Sequence, residues 1–248
     1  MDKIALITGG SRGIGAATAL LAASQGWAVA INYVRHAHAA EDIARQIRDA
    51  GGKAITIQGD VSVEADVITM FDTLDHELGP LTALVNNAGV VDHASRVDQM
   101  LGERLRRMFS INVLGSFYCA REAVRRMSTR HGGAGGSIVN VSSAASRLGS
   151  PHEYVDYAAA KGAIDVMTVG LAKEVAGEGI RVNAVRPGLI ETEIHASGGR
   201  PNRVQEFASG IPMGRGGYAE EVAQSIVWLM SDASPYTTMS FLEISGGR

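Results

Sequence analysis

Thr8-Gly9-Gly10-Ser11-Arg12-Gly13-Ile14-Gly15 joins the apolar run Lys3–Thr8 to the Ala/Leu-rich stretch Gly13–Gln25. The run reads as a buried strand and the stretch as a helix, so the glycines fall on a β-α junction. Glycines there permit a tight turn and let a pyrophosphate approach both the backbone and the helix N-terminus. A glycine-rich turn alone is weak evidence; its position at the first such junction gives it weight. The spacing is Gly-x-x-x-Gly-x-Gly rather than the more familiar Gly-x-Gly-x-x-Gly.

Beyond this turn the alternation continues. Strand-like runs at Trp27–Tyr33, Ala54–Gln58, Leu81–Asn86, Ser137–Ser142, Arg181–Val185 and Phe241–Ile244 alternate with helical patterns. The helices fall at His38–Ala50, Glu64–Leu78, Arg104–Thr129, Tyr154–Ala176 and Ala219–Ser231. Near-continuous apolar strands in strict alternation predict an α/β fold: a doubly wound parallel sheet with helices on both faces. Ligands are then expected at the carboxyl ends of the strands. No linker or composition shift divides residues 1–248, which read as a single domain. Pro187–Gly217 is irregular, Gly-rich and interrupted by Pro201 and Pro212. Such a segment predicts a substrate lid at about 188–217 rather than a plain connection.

The chain has 248 residues, a formal net charge of −3 and one cysteine, Cys119. It can bury a large core without disulfide or metal, and the lone cysteine suits a reducing, cytoplasmic compartment. The charge gives no reason to expect nucleic acid as a partner. The N-terminal apolar run is too short for a signal segment, and no run approaches the ~18 apolar residues of a membrane span, so no membrane association is expected. Of the seven histidines only His36 and His38 lie close together, with no third ligand nearby. They read as surface residues, and no metal site is expected.

The glycine spacing resembles that of the short-chain dehydrogenase/reductase family, and the resemblance runs along nearly the whole chain. Gly59-Asp60-Val61 follows the third strand, where the family places an adenine-contacting Asp. Asn86-Asn87-Ala88-Gly89 follows the fourth and Pro187-Gly188 the sixth, both at family positions. Asn112, Ser143, Tyr157 and Lys161 fall where the family's catalytic residues lie. The resemblance implies a Rossmann fold and reversible hydride transfer between a nicotinamide and a carbonyl or alcohol carbon. Outside this pattern, Asp60 would read as a turn residue or helix cap. The paired asparagines would read as partners for strand-end backbone groups.

Tyr154-Val155-Asp156-Tyr157-Ala158-Ala159-Ala160-Lys161 offers two candidate phenols. Tyr157 lies one helical turn from Lys161, about 6 Å along the axis, whereas Tyr154 lies two turns away. A nearby ammonium is expected to lower a phenol's pKa from about 10 and make it a useful acid or base. Spacing and the family's Tyr-x-x-x-Lys pattern both select Tyr157. Tyr154 is left as a pocket wall or as core packing. Ser142 and Ser143 compete at the end of the fifth strand, with side chains on opposite sides, and the resemblance selects Ser143 to orient the substrate oxygen. The resemblance also gives Lys161 the nicotinamide ribose. Asn112, otherwise a polar residue in a long helix, is by resemblance the point where that helix opens and a water is held.

The cofactor is expected to touch Gly9, Ser11, Arg12, Gly13, Ile14 and Gly15. It is also expected at Asn32, Tyr33 and Arg35, at Asp60 and Val61, at Asn87, Ala88 and Gly89, and at Pro187, Gly188, Ile190 and Thr192. NAD-specific sites carry an acid at the end of the second strand; here Ile31-Asn32-Tyr33-Val34-Arg35 has none before Glu41. Arg12 and Arg35 are free to pair with a 2′-phosphate, so NADP(H) is expected over NAD(H), unless both arginines are simply solvated.

Substrate identity is less legible. Ser143, Tyr154, Tyr157, Ile194 and His195 are the candidate contacts for a small carbonyl or alcohol. Similar families include 3-oxoacyl-[acyl-carrier-protein] reductases and sugar dehydrogenases. Arg125, Arg126 and Arg130 would be the basic surface for an acidic carrier protein, but a basic helix end more often serves the helix dipole. Glu178 before Gly179, where such reductases often have Arg, disfavours that partner. A non-catalytic NADP(H) sensor is the alternative from another class. Family resemblance implies a homotetramer through the helices at Arg104–Thr129 and Tyr154–Ala176, with Met239 standing where relatives commonly have Gly.

Overall fold

The computed structural model describes residues 3–248; residues 1 and 2 of the expected domain lie outside the described residues. Strand β1 (Ile4–Ile7) is buried along its length, and its pleat divides it between two cores. Ile4 and Leu6 join one apolar cluster, Ala5 and Ile7 the other. The run is therefore apolar throughout because both faces of the sheet are covered.

The chain continues through α1 (Gly13–Ser24), β2 (Ala28–Tyr33), α2 (Ala37–Asp49), β3 (Ala54–Gln58), α3 (Glu64–Glu77) and β4 (Ala83–Asn86). Then come α4 (Gly102–Phe109), α5 (Gly115–Met127), β5 (Gly136–Val141), α6 (Ala145–Leu148), α7 (Val155–Val175) and β6 (Ile180–Pro187). The last elements are β7 (Ile190–Glu191), α8 (Ile194–Ser197), α9 (Arg203–Phe207), β8 (Gly217–Tyr218), α10 (Ala219–Met230) and β9 (Phe241–Ile244). The central sheet runs β3-β2-β1-β4-β5-β6-β9, every pair parallel. Phe71, Cys119 and Ile164 bring α3, α5 and α7 onto one face. Ala19, Ile47 and Ile226 bring α1, α2 and α10 onto the other. The doubly wound Rossmann sheet is thus present, and its strand order reverses between β1 and β4, where a ligand crevice opens at the strand ends.

Two expectations need correction. The stretch Arg104–Thr129 is not one helix: Ser110–Leu114 form a π turn between α4 and α5. Asn112 sits inside that turn, where a local alternative to the regular ladder is a recognised insertion. Nor is 188–217 irregular. It carries α8, α9 and a two-stranded parallel ladder, Ile190↔Gly217 and Glu191↔Tyr218. Strands of two residues are too short for a period to show in sequence.

Met239 adopts φ +61°, the left-handed region that disfavours any residue with a Cβ. Its amide donates to the Val182 carbonyl at 2.7 Å, so pairing beside β6 holds the strained turn in place.

Candidate functional site

The loop after β1 turns at Gly9, whose φ of +61° suits glycine. Close approach fixes Gly15: a Cβ there would lie 2.5 Å from the Gly9 carbonyl oxygen and 2.6 Å from Asn87 Nδ2. The loop is held from behind. Asn87 Nδ2 donates to the Thr8 and Gly9 carbonyls at 2.9 and 3.0 Å. The Gly9 amide donates to Asn32 Oδ1 at 3.1 Å. Asn32 is buried, and its Nδ2 donates to the Gly59 carbonyl at 2.9 Å. Its side chain, expected to face a cofactor, is spent on backbone, so Asn32 acts on the site by shaping the glycine turn.

A cleft above this loop is lined by Gly9, Ser11, Arg12, Gly13, Ile14, Asn32, Tyr33, Arg35, Asp60, Val61, Asn87, Ala88, Gly89 and Thr192. Those residues were expected there and leave a side-chain-poor cradle of the kind a dinucleotide fits. Gly15, also expected to touch the cofactor, lines neither cleft: it is buried behind the loop, where it lets Gly9 and Asn87 pack closely. Asp60 keeps both of its readings. It lines the cleft while Oδ1 accepts from the Ser62 amide and hydroxyl at 2.9 and 2.7 Å. Arg12 reaches across to Ser197 at 3.5 Å. Arg107 and Glu193 also line this cleft. Neither was expected, because one comes from a surface-patterned helix and the other from the segment after β7.

A second cleft holds Ser143, Tyr154, Tyr157, Lys161, Ile194 and His195, together with Pro187, Gly188 and Ile190. It shares Ile14, Asn87, Gly89, Thr192 and Ile194 with the first cleft, so the two form one continuous groove. Asn112 lines neither. It is fully buried, and exchanges two hydrogen bonds with Val90: the Val90 amide donates to Oδ1 at 2.9 Å and Nδ2 donates to the carbonyl at 3.0 Å. Its side chain thereby fixes the strand-end segment after Asn87-Ala88-Gly89.

The two serines separate as alternation predicts. Ser142 is buried and donates to Asp165 Oδ1 at 2.6 Å; Ser143 lines the second cleft with Tyr157, its Oγ accepting from the Ala145 amide at 3.1 Å. Tyr154 serves as both wall and packing. It is 6% exposed and lies under the Arg203 guanidinium, 4.8 Å from ring centroid to Cζ.

The electrostatics differ from expectation. Burial pushes the Tyr157 phenol up to about 12, with the nearby Ser143 hydroxyl opposing the rise. Lys161 does not lower it. Its Nζ lies 5.7 Å from the ring centroid and donates to the Val141 carbonyl at 2.7 Å. Burial brings the ammonium itself down to about 8, against the pull of Asp165. Desolvation outweighs a charge that is aimed at a carbonyl. Tyr157 is therefore a protonated phenol at neutral pH. Burial also lowers His195, and its Nε2 lies 2.9 Å from the Ile190 carbonyl, so Nε2 carries the proton of a neutral ring.

Arg125, Arg126 and Arg130 are not a free basic patch. Arg125 and Arg126 bind Glu122, Arg126 also binds Asp72 and Asp75, and Arg130 binds Glu178. Among the described residues no cluster of three or more His, Cys, Asp or Glu is placed to hold a metal, and no helix is long and apolar enough to cross a membrane.

Residues 9–248 match the family model described as enoyl-(acyl carrier protein) reductase. The chain is 59% identical over 245 residues to the uncharacterized oxidoreductase YgfF of Escherichia coli K12, covering 99% of each. It is 38% identical to the cis-4-hydroxycyclohexanecarboxylate dehydrogenase of Sinomonas cyclohexanicum, covering 99% of this chain and 96% of that one. A short chain dehydrogenase of Burkholderia cenocepacia J2315, solved in complex with NADP, superposes with a TM-score of 0.90 at 31% identity. That match covers 99% of this chain and 97% of the other.

Proposed function

The chain belongs to the short-chain dehydrogenase/reductase family of oxidoreductases, and from that premise we propose that it interconverts a carbonyl compound and a secondary alcohol, with NADP(H) preferred and Tyr157 as acid and base. The observation that carries this reading is the continuous groove: one arm over the glycine loop, the other floored by Ser143, Tyr157 and Lys161.

When bound, the nicotinamide supplies or accepts the hydride. The glycine loop, Asn87, Lys161 and Thr192 are the residues that would hold the dinucleotide, with Arg12 and Arg35 at its 2′ end. In the reductive direction the protonated Tyr157 phenol gives its proton to the substrate oxygen. Ser143 donates a hydrogen bond to the same oxygen and stabilises charge developing on it. Asn112 positions the wall through Val90. Segment 188–217 serves as the lid. A ring alcohol is what the Sinomonas relative's name specifies, which suits a secondary alcohol here.

The test follows NADPH and NADH oxidation separately with ketones, 3-oxoacyl thioesters and sugar-derived carbonyls. Turnover with NADPH that falls at least 100-fold in Tyr157→Phe supports the reading. Tight NADPH binding without turnover on any of them replaces it with the sensor.

We also propose that the chain assembles as a homotetramer. Leu101, Leu105, Phe109, Leu114 and Phe117 around α4 and α5, and Val166 on α7, are exposed; a second copy would cover them. A monomer mass by light scattering across dilution rejects this.

A further inference from the structure

The charge on the walls of the substrate arm is one-sided. Lys161, Arg203 and Arg248 line it, and among the described residues no aspartate or glutamate does. His195 lines it as a neutral ring. Leu148, Leu189 and Ile194 supply apolar wall.

Arg203 is the least ordinary of these residues. It opens α9 in the segment that covers the site, yet it is only 7% exposed. Its guanidinium lies between two aromatic rings, 4.8 Å from Tyr154 and 5.1 Å from Phe207. Nη2 donates to Glu153 at 2.6 Å. Nη1 is buried with no hydrogen-bond partner; among the described residues the only other such side-chain atom is Trp27 Nε1. An orphaned donor on a buried cation is costly and therefore rare away from a ligand. Glu153 cannot absorb it, because that carboxylate is already shared with Arg200. Arg200 lies over the same Phe207 ring at 5.1 Å, and Arg248 adds a third guanidinium 5.5 Å away. These three cations share two carboxylates, Glu153 and Glu206, and among the described residues no salt bridge reaches Arg248, so the cluster is one anion short.

From this, and resting on the oxidoreductase reading above, we infer that the substrate is an oxo or hydroxy acid with a compact hydrocarbon body, whose carboxylate is received by Arg203 with Arg248 beside it. The planar guanidinium matches a carboxylate edge, and the stacking rings fix its plane before the substrate arrives. The carboxylate end then orients the molecule so that its carbonyl or hydroxyl group faces Ser143 and Tyr157.

Two measurements separate this inference from the reading it rests on. Calorimetry on the NADP-loaded protein compares cyclohexanecarboxylate with cyclohexanecarboxamide, neither of which has a carbonyl to reduce by this chemistry. The acid is expected to bind at least tenfold tighter. Arg203→Met is expected to abolish that preference and Arg203→Lys to keep part of it. NADPH oxidation then compares 4-oxocyclohexanecarboxylate with its methyl ester. The acid-to-ester ratio of kcat/KM is expected to exceed ten and to fall at least tenfold in Arg203→Met. A merely structural role for Arg203 would lower both rates and leave the ratio unchanged. Equal binding of acid and amide, or an unchanged ratio in the variant, overturns the anion site. Selective acid binding with no turnover of acid or ester leaves the anion site standing and counts against the reductase.

Discussion

Arg104 holds Asp156, the neighbour of Tyr157, in a two-pronged ion pair: Nε donates to Oδ2 at 2.7 Å and Nη2 to Oδ1 at 3.1 Å. The side chains are 11% and 1% exposed, and Nη1 also donates to the His93 carbonyl at 2.5 Å. The first turn of α7, which carries Tyr157, is thereby fastened to α4 and to the segment after β4. Such a pair adds little over apolar packing when intact, but breaking one side strands the other charge. Arg104→Met is therefore expected to cost about 3–5 kcal/mol of unfolding free energy, read from urea denaturation. The double variant Arg104→Met/Asp156→Leu should recover much of that loss. A single variant as stable as the parent rejects the argument.

Lys161 makes stability depend on pH in a definite window. Its value falls from 10.5 to about 8 on folding, so the folded state gives up the proton earlier than the unfolded chain. Between about 8 and 10.5 the unfolded state binds more protons, and stability rises with pH. Below that window both states are charged and the folded one bears the full desolvation penalty. Tyr157 acts oppositely but later: raised from 10 to about 12, it erodes stability only above pH 10. The unfolding free energy from urea denaturation, and with it the midpoint, should therefore climb from pH 8 to 10, the free energy by an amount on the order of a few kcal/mol. Lys161→Met should flatten the climb. A wild-type midpoint level across that range counts against a desolvated ammonium.

Much of this was legible in the chain, and the reasons differ by residue. The β1–glycine loop–α1 unit is local: its strand run, spacing and helix start sit within 25 residues. Tyr157 and Lys161 share a helix face, so spacing alone pairs them. Arg203 was hidden because its meaning lies in Tyr154 and Glu153, about fifty residues earlier, and in a burial that no period reports. The break at Asn112 was visible only by resemblance, since helix patterning runs through it. The raised phenol at Tyr157, where the sequence predicts a lowered one, has one reason. Spacing gives the partner, but only the folded walls show how far both groups are desolvated and that Nζ is already engaged by Val141.

Met239 offers a stability gain. Its φ of +61° carries a cost that glycine avoids, and the side chain is 42% exposed, so removing it uncovers little. Glycine's greater freedom in the unfolded chain offsets part of the benefit. The net expectation for Met239→Gly is stabilisation by about 0.5–1 kcal/mol. For a chain of this size that raises Tm by roughly 1–4 °C, measured by calorimetry. A lowered Tm would mean that Met239 makes contacts worth more than its strain, for instance in an assembled oligomer.

Arg35 is the sharpest test of cofactor choice. It is exposed at the rim of the glycine-loop cleft, just beyond β2, and it lines that cleft together with Arg12. Arg12 lies within 3.5 Å of Ser197, whereas no salt bridge occupies Arg35 among the described residues. A 2′-phosphate would meet Arg35 as a charge-assisted partner, and a 2′-hydroxyl would gain little from it. Arg35→Asp inverts that preference, since the new carboxylate repels phosphate and accepts from a ribose hydroxyl. The NADPH KM is expected to rise at least tenfold while the NADH KM stays level or falls, measured at fixed saturating ketone. The effect should shrink as salt is raised from 20 to 300 mM, because an exposed charge is screened over about 10 Å. An equal rise in both KM values would mean that the substitution had damaged the loop, and unchanged values would place the 2′ position beyond the reach of Arg35.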